Sequence, residues 1–190
     1  MPDGTQIGRT ASYGLITVPN VVTLGRLFAV PLSFWMILEH RLDLAFFVFL
    51  GAGISDAVDG WLARRLGGNA LGAILDPLAD KALLVTMYTT LAVVHVLPDW
   101  LAILVVFRDV LIVGGVIVLA GLGHKVPINP LLISKVNTTA QITLVAAALL
   151  LTGFALTIPY VMPALIGCVA VTTIVSGGTY VWNAARSPVP

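Results

Sequence analysis

Residues 56–81 read DAVDGWLARRLGGNALGAILDPLADK. The stretch holds Asp56, Asp59, Asp76 and Asp80, four of only nine acidic residues in a chain of 190. Around it the sequence is 58% hydrophobic, with a mean hydropathy of +1.02. A carboxylate inside a membrane-length apolar segment is costly, and such residues mark function by default. Four of them, paired on either side of a short loop, predict a cage for hard cations.

Working outward, only 10% of residues are charged and apolar runs recur along the whole length. That composition excludes an ordinary water-soluble globule and predicts an all-α integral membrane protein. A chain of this length reads as one domain over 1–190, with 1–18 as a polar or interfacial N-terminal segment. A formal charge of +1 gives no electrostatic footprint for nucleic acid. The single cysteine, Cys168, sits in an apolar run, so no intrachain disulfide forms and a buried, inert thiol is expected. The N-terminus has neither the pattern of a cleaved signal nor the Arg-rich pattern of a transit peptide. It reads as uncleaved, which favours a bacterial inner membrane over a mitochondrial one.

Six spanning helices are expected, over roughly 21–38, 44–65, 71–96, 100–122, 131–151 and 160–184. Tyr13 to Thr23, with Pro19 and Asn20 as a break, reads as a short interfacial helix leading into the membrane, and Pro31 predicts a kink in the first span. Glu39 to Asp43, His95 to Asp99, and Thr152 to Pro159 read as turns, with His95 and His124 outside any catalytic role. With the N-terminus in the cytoplasm, that side carries Arg9, Arg64, Arg65, Lys125, Lys135 and Arg186, and the far side carries Arg41. The asymmetry predicts both termini inside, with the aspartates at the cytoplasmic face. Trp100, Tyr160 and Trp182 read as interfacial anchors.

A helix advances about 100° per residue. Asp59 therefore lies about 60° from Asp56, Gly60 about 40° and Ala63 about 20°. On the next helix, Gly72 and Asp80 each lie about 40° from Asp76. Each helix shows one stripe of carboxylates interrupted by residues without bulk. A loop of this length makes the two helices antiparallel neighbours whose stripes face each other. Carboxylates of this density suit Mg²⁺, Mn²⁺ or Ca²⁺, and two divalent ions would neutralise them. Two-metal sites favour phosphate chemistry, and Arg64 stands close enough to hold a phosphate.

Asp56-xx-Asp59-Gly60-xx-Ala63-Arg64, followed by Gly72-xxx-Asp76-xxx-Asp80, resembles the signature of the CDP-alcohol phosphatidyltransferases. The spacer between Arg64 and Gly72, residues 65–71, is one residue shorter than the family pattern and falls in the loop containing Gly67-Gly68. The resemblance implies a six-helix membrane fold with a cytoplasmic-side site, commonly a homodimer. It implies that Asp56, Asp59, Asp76 and Asp80 bind two divalent ions, Mg²⁺ or Mn²⁺, and that Asp80 also acts as base. It assigns Gly60, Ala63, Arg64 and Gly72 to the CDP moiety. The substrates implied are CDP-diacylglycerol and a hydroxyl acceptor, either an anionic phospholipid or a glycerol phosphate.

Three further stretches resemble the eukaryotic-type cardiolipin synthases of that family. They are Pro19-Asn20-Val21-Val22-Thr23 to Arg26, Arg108-Asp109-Val110, and Ile133-Ser134-Lys135-Val136-Asn137-Thr138 to Gln141. The acceptor implied is phosphatidylglycerol, giving cardiolipin and CMP. The alternative is glycerol-3-phosphate, as in the phosphatidylglycerophosphate synthases. Arg26, Arg108 and Lys135 are the candidate acceptor-phosphate residues. A pair between Arg108 and Asp109 is not expected, because adjacent helix residues point about 100° apart. Membrane prenyltransferases also use paired Asp-rich motifs, but on separate halves of a longer chain. An acidic ring for cation permeation would spread carboxylates over several helices.

Overall fold

The structure is a computed structural model that describes residues 18–66, 70–121 and 132–186, with side chains over 25–56, 80–115 and 132–182. It is all helix: α1 Val18–Leu38, α2 Leu42–Leu66, α3 Ala70–Val93, α4 Asp99–Gly121, α5 Leu132–Gly153 and α6 Val161–Arg186. Each expected helix is present, with ends shifted by a few residues. Two expectations about α1 are corrected. Pro19 and Asn20 form its first turn rather than a break, because a proline there loses no intrahelical bond. The proposed interfacial helix is therefore absorbed into α1 from Val18 onward, and residues 13–17 lie outside the described residues. α1 continues as helix through Pro31.

The expectation that α2 and α3 face each other through their aspartate stripes falls mostly on residues 57–79, whose side chains lie outside the described residues. Among the described residues these two do not pack on each other, and α1 packs against both. A short link brings two helix ends together, but it does not decide which third helix fills the groove between them. α1 does so with a narrow stripe, Arg26, Ala29, Ser33 and Ile37, all buried at spacings of three and four. α2 answers with Leu42, Ala45, Phe49 and Ala52, and α3 with Leu83, Leu84, Met87, Tyr88 and Leu91. α5 packs on α6 and α2, and α4 on α3 and α6. Leu144, Val145, Ala148 and Leu149 of α5 have no exposed surface. Within the described side chains, Leu132–Gly153 and Val161–Trp182 are long and apolar enough to cross a membrane.

α1, α3 and α5 end the same way. His40, His95 and Ala155 adopt left-handed φ values of 57°, 59° and 51°. Each follows a helix whose carbonyls are closed by a paired bond. Arg41 N–H reaches Met36 O at 2.9 Å, Val96 N–H reaches Leu91 O at 2.9 Å, and Leu156 N–H reaches Leu151 O at 2.8 Å. This is the Schellman arrangement, here built on residues other than glycine. His40 and His95 thus have a backbone role in the turns. The Arg41 guanidinium, hydrogen-bonded to Asp43 at 3.3 Å, holds that exposed carboxyl below its ordinary pKa.

Gly153 shows how tightly this end is built. A Cβ there would stand 2.6 Å from the Asp43 nitrogen and 2.8 Å from the Leu42 carbonyl carbon. Both are backbone atoms and cannot swing aside. Gly153→Ala is therefore expected to destabilise the fold by about 1–3 kcal/mol, the range for overpacking a closed contact. A lowered thermal midpoint in detergent checks this, and an unchanged midpoint contradicts the contact.

Cys168 corrects a third expectation. It is exposed on α6 rather than buried. An apolar run does not say which side of a helix faces its neighbours, and Val169 and Thr173 take the buried positions.

Candidate active site

Arg26 is the centre of the site. Its position in the buried stripe of α1 leaves it 3% exposed. Nη2 lies 2.7 Å from Oδ1 of Asp56 on α2, and Nη1 lies 2.9 Å from Oδ1 of Asp80 on α3. The two carboxylates are about half exposed while the guanidinium is not. The first and last aspartates of the sequence motif therefore converge on one buried positive charge supplied by the helix between them. Among the described residues, Nη1 is at ion-pair distance but has no aligned hydrogen-bond acceptor, and neither has Nε.

The arrangement fits a divalent cation. One hard oxygen donor group comes from each helix, and each carboxylate is about half exposed. The side chains of Asp59, Asp76, Gly60, Ala63, Arg64 and Gly72 lie outside the described residues, and their backbones belong to α2 and α3. Among the described residues no set of three or more acidic, histidine or cysteine groups forms a complete ligand shell.

A second polar node lies on α4. Arg108 is 4% exposed and Asp109 6%. Contrary to the expectation from helical phase, they pair: Arg108 Nη1 donates to Asp109 Oδ1 at 2.8 Å. The Cβ directions diverge, but the long arginine stem curls back far enough to close the gap. The other oxygen of Asp109 accepts from Lys81 Nζ on α3. Arg108 Nη2 donates to Ser134 on α5 at 2.8 Å and to Ser176 on α6. Four helices meet at this node, and Lys81 ties it to the residue following Asp80. Arg108 Nε is buried without a partner among the described residues. Lys135, next to Ser134, is exposed in the first turn of α5.

From Ser134 a polar seam runs along one face of α5 through Asn137 and Gln141, both fully buried. Asn137 Oδ1 accepts from Thr172 and Thr173 of α6, each at 2.9 Å. The Gln141 carbonyl accepts from Tyr88 of α3 at 3.2 Å. Sequence reasoning missed Ser176, Thr172 and Thr173. Their signal was hydroxyls at helical spacing in an apolar span, the pattern that joins helices where water is absent.

A groove of about 380 Å³ opens between α1 and α2, with Arg26 and Ser55 at one end and Phe28, Ala29, Val48 and Ala52 along its sides.

Residues 16–181 match the family model described as CDP-alcohol phosphatidyltransferase. The chain belongs to the CDP-alcohol phosphatidyltransferase family. Among relatives, it is 39% identical over 169 residues to CDP-diacylglycerol–glycerol-3-phosphate 3-phosphatidyltransferase 1, chloroplastic, of Oryza sativa, covering 78% of this chain and 51% of that one. It is 33% identical over 181 residues to cardiolipin synthase (CMP-forming) of Rattus norvegicus, covering 86% and 60%. It is 32% identical over 152 residues to CDP-diacylglycerol–glycerol-3-phosphate 3-phosphatidyltransferase of Bacillus subtilis, covering 72% and 78%. The chain spans about half of the Oryza sativa relative and three fifths of the Rattus norvegicus one. The CDP-alcohol phosphatidyltransferase signature read at Asp56 to Asp80 lies inside the matched region.

Proposed function

We propose that this chain is a membrane-embedded phosphatidyltransferase that moves a phosphatidyl group from CDP-diacylglycerol to phosphatidylglycerol, giving cardiolipin and CMP. The observation that carries the reading is the convergence of Asp56 and Asp80 on one buried cation, in a chain whose family is shown. The bond that forms joins the acceptor oxygen to the lipid-side phosphorus of the diphosphate. The bond that breaks releases CMP. Asp80 accepts the acceptor's proton, and its half-exposed carboxylate is open to an incoming hydroxyl. Asp56, Asp59, Asp76 and Asp80 would hold two divalent ions, Mg²⁺ or Mn²⁺. When bound, those ions supply charge neutralisation to the diphosphate and to the transition state. Gly60, Ala63 and Gly72 leave room for the CDP moiety and Arg64 contacts its phosphate. The groove beside Arg26 offers an apolar wall to an acyl chain whose head lies at Asp56.

Arg108, Lys135 and Arg26 are the proposed contacts for the acceptor phosphate. Two of the three sequence segments that point to phosphatidylglycerol are physically joined, since Arg108 bonds Ser134. The glycerol-3-phosphate reading has its own support in the 39% identity to the Oryza sativa relative.

All six helices are proposed to span a membrane as a single domain. Large apolar side chains face outward on different helices, including Phe28 (72% exposed), Phe47 (58%), Ile103 (68%) and Ile174 (60%). Such a surface is far more apolar than a water-soluble monomer carries. The Lys and Arg distribution supports both termini and the site on the cytoplasmic side. A homodimer in a bacterial inner membrane is proposed.

The test is CMP release by purified protein with Mn²⁺ and CDP-diacylglycerol, given phosphatidylglycerol or glycerol-3-phosphate. Release with phosphatidylglycerol is expected. Release only with glycerol-3-phosphate moves the assignment to the alternative, and release with neither overturns both.

A further inference from the structure

We propose that Arg26 is a built-in counter-ion of the candidate metal site, one that competes with divalent cations for Asp56 and Asp80. The inference rests on the divalent-ion reading above. A guanidinium carries a fixed positive charge and only donors. Here its two terminal nitrogens stand 2.7 and 2.9 Å from one oxygen on each carboxylate. A divalent ion bound to the same oxygens would stand within a few ångströms of that charge. Like charges at such a range disfavour each other strongly where water is partly excluded.

The bridge is also unfinished as a structural contact. An arginine that serves only to brace helices satisfies its donors when buried. Arg26 is 3% exposed, and among the described residues Nε and Nη1 have no aligned acceptor. What holds Nη1 to Asp80 is charge at close distance rather than a directed hydrogen bond. Such a contact can be exchanged for a stronger cation at those oxygens. Arg26 then has two tasks. It neutralises Asp56 and Asp80 until metal arrives, which keeps α2 and α3 drawn to α1. Once displaced, it presents a free guanidinium beside the metals, suited to a phosphate.

The test uses the full chain in detergent micelles, with Mn²⁺ binding read from the spin-resonance signal of free Mn²⁺. Arg26→Gln is expected to bind Mn²⁺ about tenfold more tightly than the parent, since a competing positive charge is gone. Arg26→Lys should bind about threefold more tightly, because an ammonium is a single point and holds one carboxylate at a time. The thermal midpoint of Arg26→Gln should fall with chelator present and return to the parent value at saturating Mn²⁺. Unchanged or weaker Mn²⁺ binding in either variant overturns the inference. So does a midpoint deficit of equal size with and without Mn²⁺, which marks a plain structural brace. If Arg26→Gln does not fold, the Lys variant decides by its affinity alone. Absence of saturable Mn²⁺ binding by the parent overturns the divalent-ion reading together with this one.

Discussion

Asp80→Asn abolishes CMP release while the protein still inserts and folds. The amide keeps the size of the side chain but loses the charge and the proton affinity. Loss of a positioned base alone lowers turnover by roughly 10²–10⁴-fold. Asp80 is also the α3 partner of the buried Arg26, at 2.9 Å, so its charge contributes to the cation site as well. The expected loss is therefore at the upper end of that range or beyond. CMP release measured at saturating CDP-diacylglycerol, Mn²⁺ and acceptor checks it. Retained turnover in a folded variant would refute the base role. A loss that excess Mn²⁺ restores would make Asp80 a ligand only.

The second large effect is on stability. Asp109→Ala leaves Arg108 buried without its carboxylate and Lys81 without its partner. Removing one member of a buried ion pair costs about 3–5 kcal/mol, because the other charge stays behind uncompensated. The Lys81 half is discounted, since that side chain is about a third exposed and can turn to solvent or headgroups. Arg108 keeps Ser134 and Ser176, which soften its loss. The expected destabilisation is about 3 kcal/mol, at the low end of the range for a broken buried pair. Unfolding in graded denaturant or a thermal series in micelles measures it. A change below about 1 kcal/mol would mean that the node behaves as a solvated surface pair. Asp109→Asn should fall between, because one acceptor oxygen remains.

Much of the fold is legible in the sequence because apolar runs and polar turns alternate on the length scale of a bilayer. The expected boundary at Leu38 coincides with the observed end of α1. The neighbour relations were harder to read. Nothing in the link between Leu66 and Ala70 says that α1 packs against both α2 and α3, and the small residues that permit it, Ala29 and Ser33, look unremarkable in a lipid-compatible run. The approach of Asp56 and Asp80 follows from their spacing, since one helical face carries each, while the side chains of Asp59 and Asp76 lie outside the described residues. The role of Arg26 was not, because an arginine in a span announces a polar partner without naming it. The Arg108–Asp109 pair was misread for a definite reason. Helical phase describes where Cβ points, whereas a guanidinium ends several bonds further out and can return. Ser176 was invisible because its partner lies 68 positions away in sequence.

The three left-handed caps at His40, His95 and Ala155 give the bundle a mechanical polarity. Each joins an odd-numbered helix to the next through a turn that opens on paired backbone bonds. Asp56 lies 14 residues beyond the start of α2, and Asp80 lies 13 residues before the end of α3, so both stand about 20 Å from those clasps. A helix pivoting by about 5° at its clasp would carry a group at that distance through about 2 Å. The geometry of the hairpins is that of levers with fulcrums at one end of the bundle and Asp56 and Asp80 toward the other. Small tilts, too slight to disturb the Leu144–Leu149 core, are enough to part Asp56 from Asp80 or bring them together.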